Sequence, residues 1–148
     1  MIDTDLVKQP PRGYATRPNG SVALLVFLHG IGEVGGDRSR HVKMHGPWRR
    51  CLTNAPALEA VADLYVVGPH LTSGDWDAGE LIERLERFLR RSPRIDRSRI
   101  YVSGLSLGGL GALMLGLETV RRAVDSDTAG EGFVPAAIAC FCPAERHF

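Results

Sequence analysis

Four short apolar runs punctuate the chain: Val22–Leu28 and residues 64–67, 100–102 and 136–141. The first has no polar interruption and stops at His29-Gly30. Runs of this length, bounded by turn residues, suit strands buried on both faces of a parallel sheet. A different period begins at Asp77, where Ala78, Leu81, Ile82, Leu85, Phe88 and Leu89 make one helical stripe. Asp77 with Glu80 three residues on reads as a capping box, and Pro93 closes the segment. Glu80, Glu83 and Glu86 each precede an arginine by four residues (Arg84, Arg87, Arg90), which predicts a solvated, ion-paired outer face. A second helix is predicted over residues 107–117, and a weaker one over 48–58, where Pro56 interferes. Residues 1–20, rich in proline and glycine, read as an irregular lead-in.

Strands alternating with helices predict an α/β fold, with a mainly parallel sheet, flanking helices and right-handed crossovers, in a single domain over residues 1–148. Ligands in such sheets bind beyond the carboxyl ends of the strands. That rule selects two loops, one after Leu28 and one after Ser103.

The first loop reads His29-Gly30-Ile31-Gly32-Glu33-Val34-Gly35-Gly36 and the second Gly104-Leu105-Ser106-Leu107-Gly108-Gly109. With 17 glycines in 148 residues, the G-x-S-x-G pattern alone is weak. Its setting between an apolar strand and an apolar helix is what a nucleophile elbow requires. There the serine occupies strained backbone, and glycines at 104 and 108 avoid collisions with neighbouring strand and helix. Gly109 and Gly111 are expected to let the helix lie close to the sheet. In the first loop, glycines free main-chain amides to face the site. Ile31 and Leu107 are the expected donors of an oxyanion hole, with His29 and Gly30 shaping its loop. The nearest bland alternative is a glycine-rich turn with an incidental serine. A phosphate-binding loop lacks its lysine here.

Composition adds exclusions. Eighteen basic against 17 acidic residues leave a net charge of +1, which gives nucleic acid or an anionic membrane nothing to select. The longest apolar run is far short of the roughly 20 residues that span a bilayer. No secretory signal is read at the start. Cys51, Cys140 and Cys142 show no metal-like spacing, and Cys140 and Cys142 read as core packing on one strand face. A cytoplasmic protein without metal or cofactor is the expectation.

Taken together, VALLVFLHGIGEVGGD, WDAGELIERLERFLRRSPRIDRSRIYVSGLSLGGLGALMLGLE and PAAIACFCPA resemble the α/β-hydrolase superfamily. The branch they are most similar to is the phospholipase/carboxylesterase and dienelactone-hydrolase-like group, which includes predicted peptidases and esterases. The likeness spans roughly residues 21–144. It implies that Ser106 is a nucleophile forming an acyl-enzyme with a small-molecule ester, and that the Ile31 and Leu107 amides hold the oxyanion.

The family's triad acid and histidine follow strands beyond the one at residues 136–141, so a partial α/β-hydrolase fold of doubtful activity is expected. An exposed last strand is also expected to favour self-association. None of the five histidines matches the family's base. His29 belongs to the oxyanion loop, His70 ends a strand, His41 and His45 fall in a polar segment, and His147 follows the last strand. Asp75, Asp77, Asp125 and Asp127 do not match the acid, and Trp76 reads as a packing or cleft-wall residue. A serine peptidase or thioesterase shares the same loops. A non-catalytic small-ligand binding module is the alternative outside enzymes.

Overall fold

A computed structural model describes residues 1–2, 6–38, 45–48, 59, 61–125 and 132–141. Five strands form one sheet: β1 (Val7–Gln9), β2 (Val22–Leu28), β3 (Leu64–Gly68), β4 (Ile95–Leu105) and β5 (Ala137–Phe141). Two long helices, α1 (Ala78–Arg90) and α2 (Leu107–Asp125), flank it. The spatial order is β1-β3-β2-β4-β5, with β1 antiparallel to β3 and the other pairings parallel. This is the expected α/β class. Most of the helix expected over residues 48–58 lies outside the described residues.

The centre follows from the apolar runs. β2 is buried along its length except at Leu25, and Leu24, Val26 and Leu28 join Val67, Ile100 and Val102 in the main core. From α1 come Leu81, Ile82, Leu85, Phe88 and Leu89, five of the six stripe residues. Asp77 caps this helix through a 2.7 Å bond from the Glu80 amide. The capping box is otherwise incomplete, because the Glu80 carboxylate turns to Arg84 and to the Ile2 amide. Of the three expected charge pairs Glu80–Arg84 forms, whereas Glu86 bonds Arg97 instead, since β4 runs close beside that end of the helix.

Three expectations need correction. The lead-in is not wholly irregular: β1 pairs with β3, and Ile2 is a core residue bridged to Leu71. A three-residue strand followed by Pro10-Pro11 is too short to show a period. β5 is exposed at all five positions, and with it Cys140, so neither is core. β5 is an edge strand, and the described residues leave its far side open. Gly111 does not face the sheet, for a side chain there would strike Trp76 at 2.7 Å. Gly116 makes the close approach to the sheet, against Ile138.

β4 is longer than its apolar run because it contains a bulge. Val22 pairs with Ile95 and Leu24 with Ile100, so residues 96–99 loop out opposite Ala23. Asp96 closes that loop, accepting from the Ser98 amide and hydroxyl and from Arg99 Nε at 2.6–2.9 Å. Those bonds from Ser98, then Arg99, lower the Asp96 pKa to about 2. The lowered value means that its stabilising contribution is present above the ordinary carboxylate range and lost as pH falls toward 2. The stability gap between the parent and Asp96→Asn, read from urea midpoints, should therefore be constant above pH 5 and shrink between pH 4 and about 2.

Candidate active site

Neighbouring strands set the site. β2 passes to β3 on one side, and the chain then returns to lay β4 on the other side of β2. The order thus reverses between β2 and β4, the switch point at which α/β sheets open a crevice. Leu28 pairs with Gly104, so both strands release their loops at the same level. The two glycine-rich loops are therefore adjacent: a side chain on Gly30 would lie 3.3 Å from Leu105 O and 3.7 Å from Ser106 Cβ.

Ser106 is half-buried and has φ 54, the one positive-φ residue other than glycine among the described residues. This left-handed backbone lets the chain reverse from β4 into α2 without an intervening loop. Its amide donates to Phe141 O at 2.8 Å, and its carbonyl accepts from Gly109 at 2.8 Å and Leu110 at 3.2 Å. A Cβ on Gly104 would stand 2.0 Å from Gly108 O, and one on Gly108 would stand 2.1 Å from Leu28 O. Both glycines are required by backbone contact, with no flexible atom to yield.

The Ile31 and Leu107 amides each open a helical segment, a short 3₁₀ turn at Ile31–Glu33 and α2 respectively. An amide at that position has no acceptor within its own helix. The Ile31 side chain is exposed, whereas Leu107 enters the core.

The histidines separate by their bonds. His29 is buried; its Nε2 accepts from the Leu71 amide at 3.0 Å, so its Nδ1 carries the proton and donates to Gly30 O at 2.8 Å. That ring braces the loop. His70, also buried, sets Nε2 against Glu33 O at 3.3 Å and Gly35 O at 3.0 Å. Trp76 donates to His29 O at 3.3 Å and packs edge-on to the His29 ring, a packing residue as its position suggested. Asp77 caps α1, and Asp125 pairs with Arg121 at the end of α2. His41, His147 and Asp127 lie outside the described residues.

Sequence reasoning passed over one pair. The Glu33 carboxylate is buried and hydrogen-bonded to Nδ1 of half-exposed His45. Glu33 is the only charged residue from His29 to Gly36, a signal that the loop's glycines obscured. Among the described residues no cluster of three or more His, Cys, Asp or Glu could hold a metal ion, and no helix is long and apolar enough to cross a membrane.

Solved structures carry the same fold. A thermostable esterase superimposes with a TM-score of 0.59 at 23% identity, covering 80% of this chain and 36% of its own. Esterase 2 of the planctomycete Thermogutta terrifontis does so in its butyrate-bound form (0.51, 18%) and phosphonylated by cyclosarin (0.53, 18%). These two cover 94% of this chain and 52% and 55% of their own. The fold is that of the α/β-hydrolases. The chain thus spans about a third to a half of the length of these neighbours. No protein-family model and no curated protein matches the sequence.

Two stability outcomes follow from the elbow. Gly108→Ala and Gly104→Ala should each lower unfolding stability by about 3 kcal/mol or more, the upper range for overpacking, because the obstacle is backbone. Ser106→Gly should be more stable than Ser106→Ala by up to about 1 kcal/mol, since glycine relieves the left-handed strain and returns part of that gain as chain entropy. Urea unfolding of the variants checks both.

Proposed function

We propose that this chain hydrolyses carboxylic esters through an acyl-enzyme on Ser106, with the Ile31 and Leu107 amides as the oxyanion hole. The observation that carries the reading is the Ser106 backbone at φ 54, a strained serine at the sheet's switch point and beside the Gly30 loop. Strain of this kind costs about 1–3 kcal/mol and collects at functional sites. The esterase neighbours, one holding butyrate and one phosphonylated, support a short acyl chain and a nucleophile open to phosphonates.

In this reading Ser106 Oγ forms a bond to the ester carbonyl carbon, and the carbonyl π pair moves onto oxygen. Two N–H groups receive that oxyanion, one from each glycine-rich loop. Each such donor is worth about 3–4 kcal/mol in the transition state. Collapse breaks the bond to the alkoxide, which takes up the proton shed by Ser106 Oγ and leaves as the alcohol. Water then attacks the acyl-serine, releasing the acid and restoring the hydroxyl. Cysteine, metal and cofactor have no part in the scheme.

The test is covalent. A fluorophosphonate probe should label the 148-residue chain once, at Ser106 by peptide mass mapping, and leave Ser106→Ala unlabelled. Labelling elsewhere, or equal labelling of the variant, would remove Ser106 as the nucleophile.

A further inference from the structure

We infer that a second copy of this chain docks on the outer face of α2 and the open edge of β5, forming a two-fold dimer. The inference does not depend on the role of Ser106. The described residues expose ten large apolar side chains, and six of them lie on this one face: Leu113, Met114, Leu117, Val120, Val124 and Ile138. Val124 is 78% exposed and Leu117 64%. At such exposures these side chains leave on the order of 600 Å² of apolar surface open, the upper end for the largest patch on an ordinary monomer. With the polar flank of α2 and the edge of β5, the face approaches the roughly 800 Å² that each partner gives to a stable interface.

The face points away from the rest of the molecule. Gly116 sets α2 against Ile138 of β5. Arg122 reaches the start of α1, where a side chain on Gly79 would meet its guanidinium at 3.3 Å. By helical periodicity Leu113, Leu117, Val120 and Val124 lie on the side of the helix opposite Arg122. The stripe therefore overhangs the edge of the sheet, where β5 has β4 as its one partner among the described strands. An edge strand with unpaired N–H and C=O groups is a template for pairing with another chain.

The spacing of the stripe selects the occupant. Leu113, Leu117, Val120 and Val124 follow one another by four, three and four residues, a pattern that reads the same in either direction. Alternation of four and three is also that of helices packed side by side. An antiparallel copy of α2 thus meets the stripe residue for residue, Leu117 against the partner's Val120 and Leu113 against the partner's Val124. A two-fold axis normal to the sheet at its open edge produces this pairing. It brings the two β5 edges towards each other and lays both α2 helices antiparallel on one side of the sheet. Charge agrees. The flank of the stripe carries Glu118, Arg121, Arg122 and Asp125, ion-paired among themselves. Two acids and two bases leave it neutral, so an identical helix meets no like-charged field. A nucleic acid or an acidic peptide finds no excess charge there to select it.

The test is sedimentation equilibrium of the whole chain between about 1 and about 100 µM, with urea midpoints as a control on folding. The parent should be a reversible monomer–dimer system with a dissociation constant of about 10 µM or lower. Leu117→Lys/Val120→Lys and Leu117→Glu/Val120→Glu should each keep the parent midpoint. Each should weaken the dimer about 100-fold or more, because like charges then meet across the axis. An equimolar mixture of the two should recover a dimer holding one chain of each. Val124→Glu, at the most exposed of these positions, should weaken the dimer as well and serves as the readout if a double variant unfolds. A parent chain that stays monomeric at about 100 µM overturns the inference and leaves the face to a different protein. Growth past the dimer as concentration rises overturns it in favour of open-ended association at β5. Dimers that survive both double variants, or a mixture that stays monomeric, overturn the antiparallel pairing of α2.

Discussion

Where β2 ends and α2 begins, backbone lies directly on backbone. No Cβ fits on Gly108, whose position abuts Leu28 O, or on Gly104, whose position abuts Gly108 O. The turn that carries Ser106 depends on this contact. Because α2 starts so close to the sheet, the turn from β4 has a single residue in which to reverse, and Ser106 takes the left-handed conformation as a result. The Phe141 carbonyl then secures the Ser106 amide from the far side, tying the turn to the edge strand. Had either glycine carried a methyl, the helix would stand off, the turn could relax, and the serine would lose its fixed direction.

The same contact explains why the glycines on either side of Ser106 were legible. Backbone proximity admits no residue except glycine, so geometry is written into composition at Gly104 and Gly108. Burial on two faces wrote β2 just as plainly, and the amphipathic stripe wrote α1 to within a residue. Signals failed where a structure depends on distant partners. β1 owes its pairing to β3, nearly 60 residues away, and no local period announces it. Glu86 was expected to pair along its own helix, but Arg97 on β4 offered a closer fit. Cys140 has the pattern of a core strand because pattern reports apolarity, whereas exposure reports what lies beyond the edge. In the site, Glu33 and His45 stand 12 residues apart with nothing periodic between them. Only the tertiary fold makes them neighbours.

Three histidines around one loop show how an identical side chain is divided among tasks by its hydrogen bonds. His29 and His70 lie within the buried wall, their ring centroids 5.4 Å apart, and each ties the glycine-rich loop to its surroundings. Glycines that free the main-chain amides also surrender the rigidity such a loop needs, because glycine has the most conformational entropy to lose. Imidazole supplies what glycine lacks: a flat, buried ring with one donor and one acceptor, able to join backbone segments that no strand pairing reaches. His29 joins the loop to Leu71 beyond β3, and His70 holds the carbonyls of Glu33 and Gly35. The Glu33 carbonyl thus faces His70 while its carboxylate meets half-exposed His45, so one residue joins the buried wall to the surface. A loop anchored this way would hold the Ile31 amide in place for the oxyanion hole proposed above. That preorganisation is what electrostatic stabilisation of a developing charge requires, because donors that must first move into place give back part of their gain.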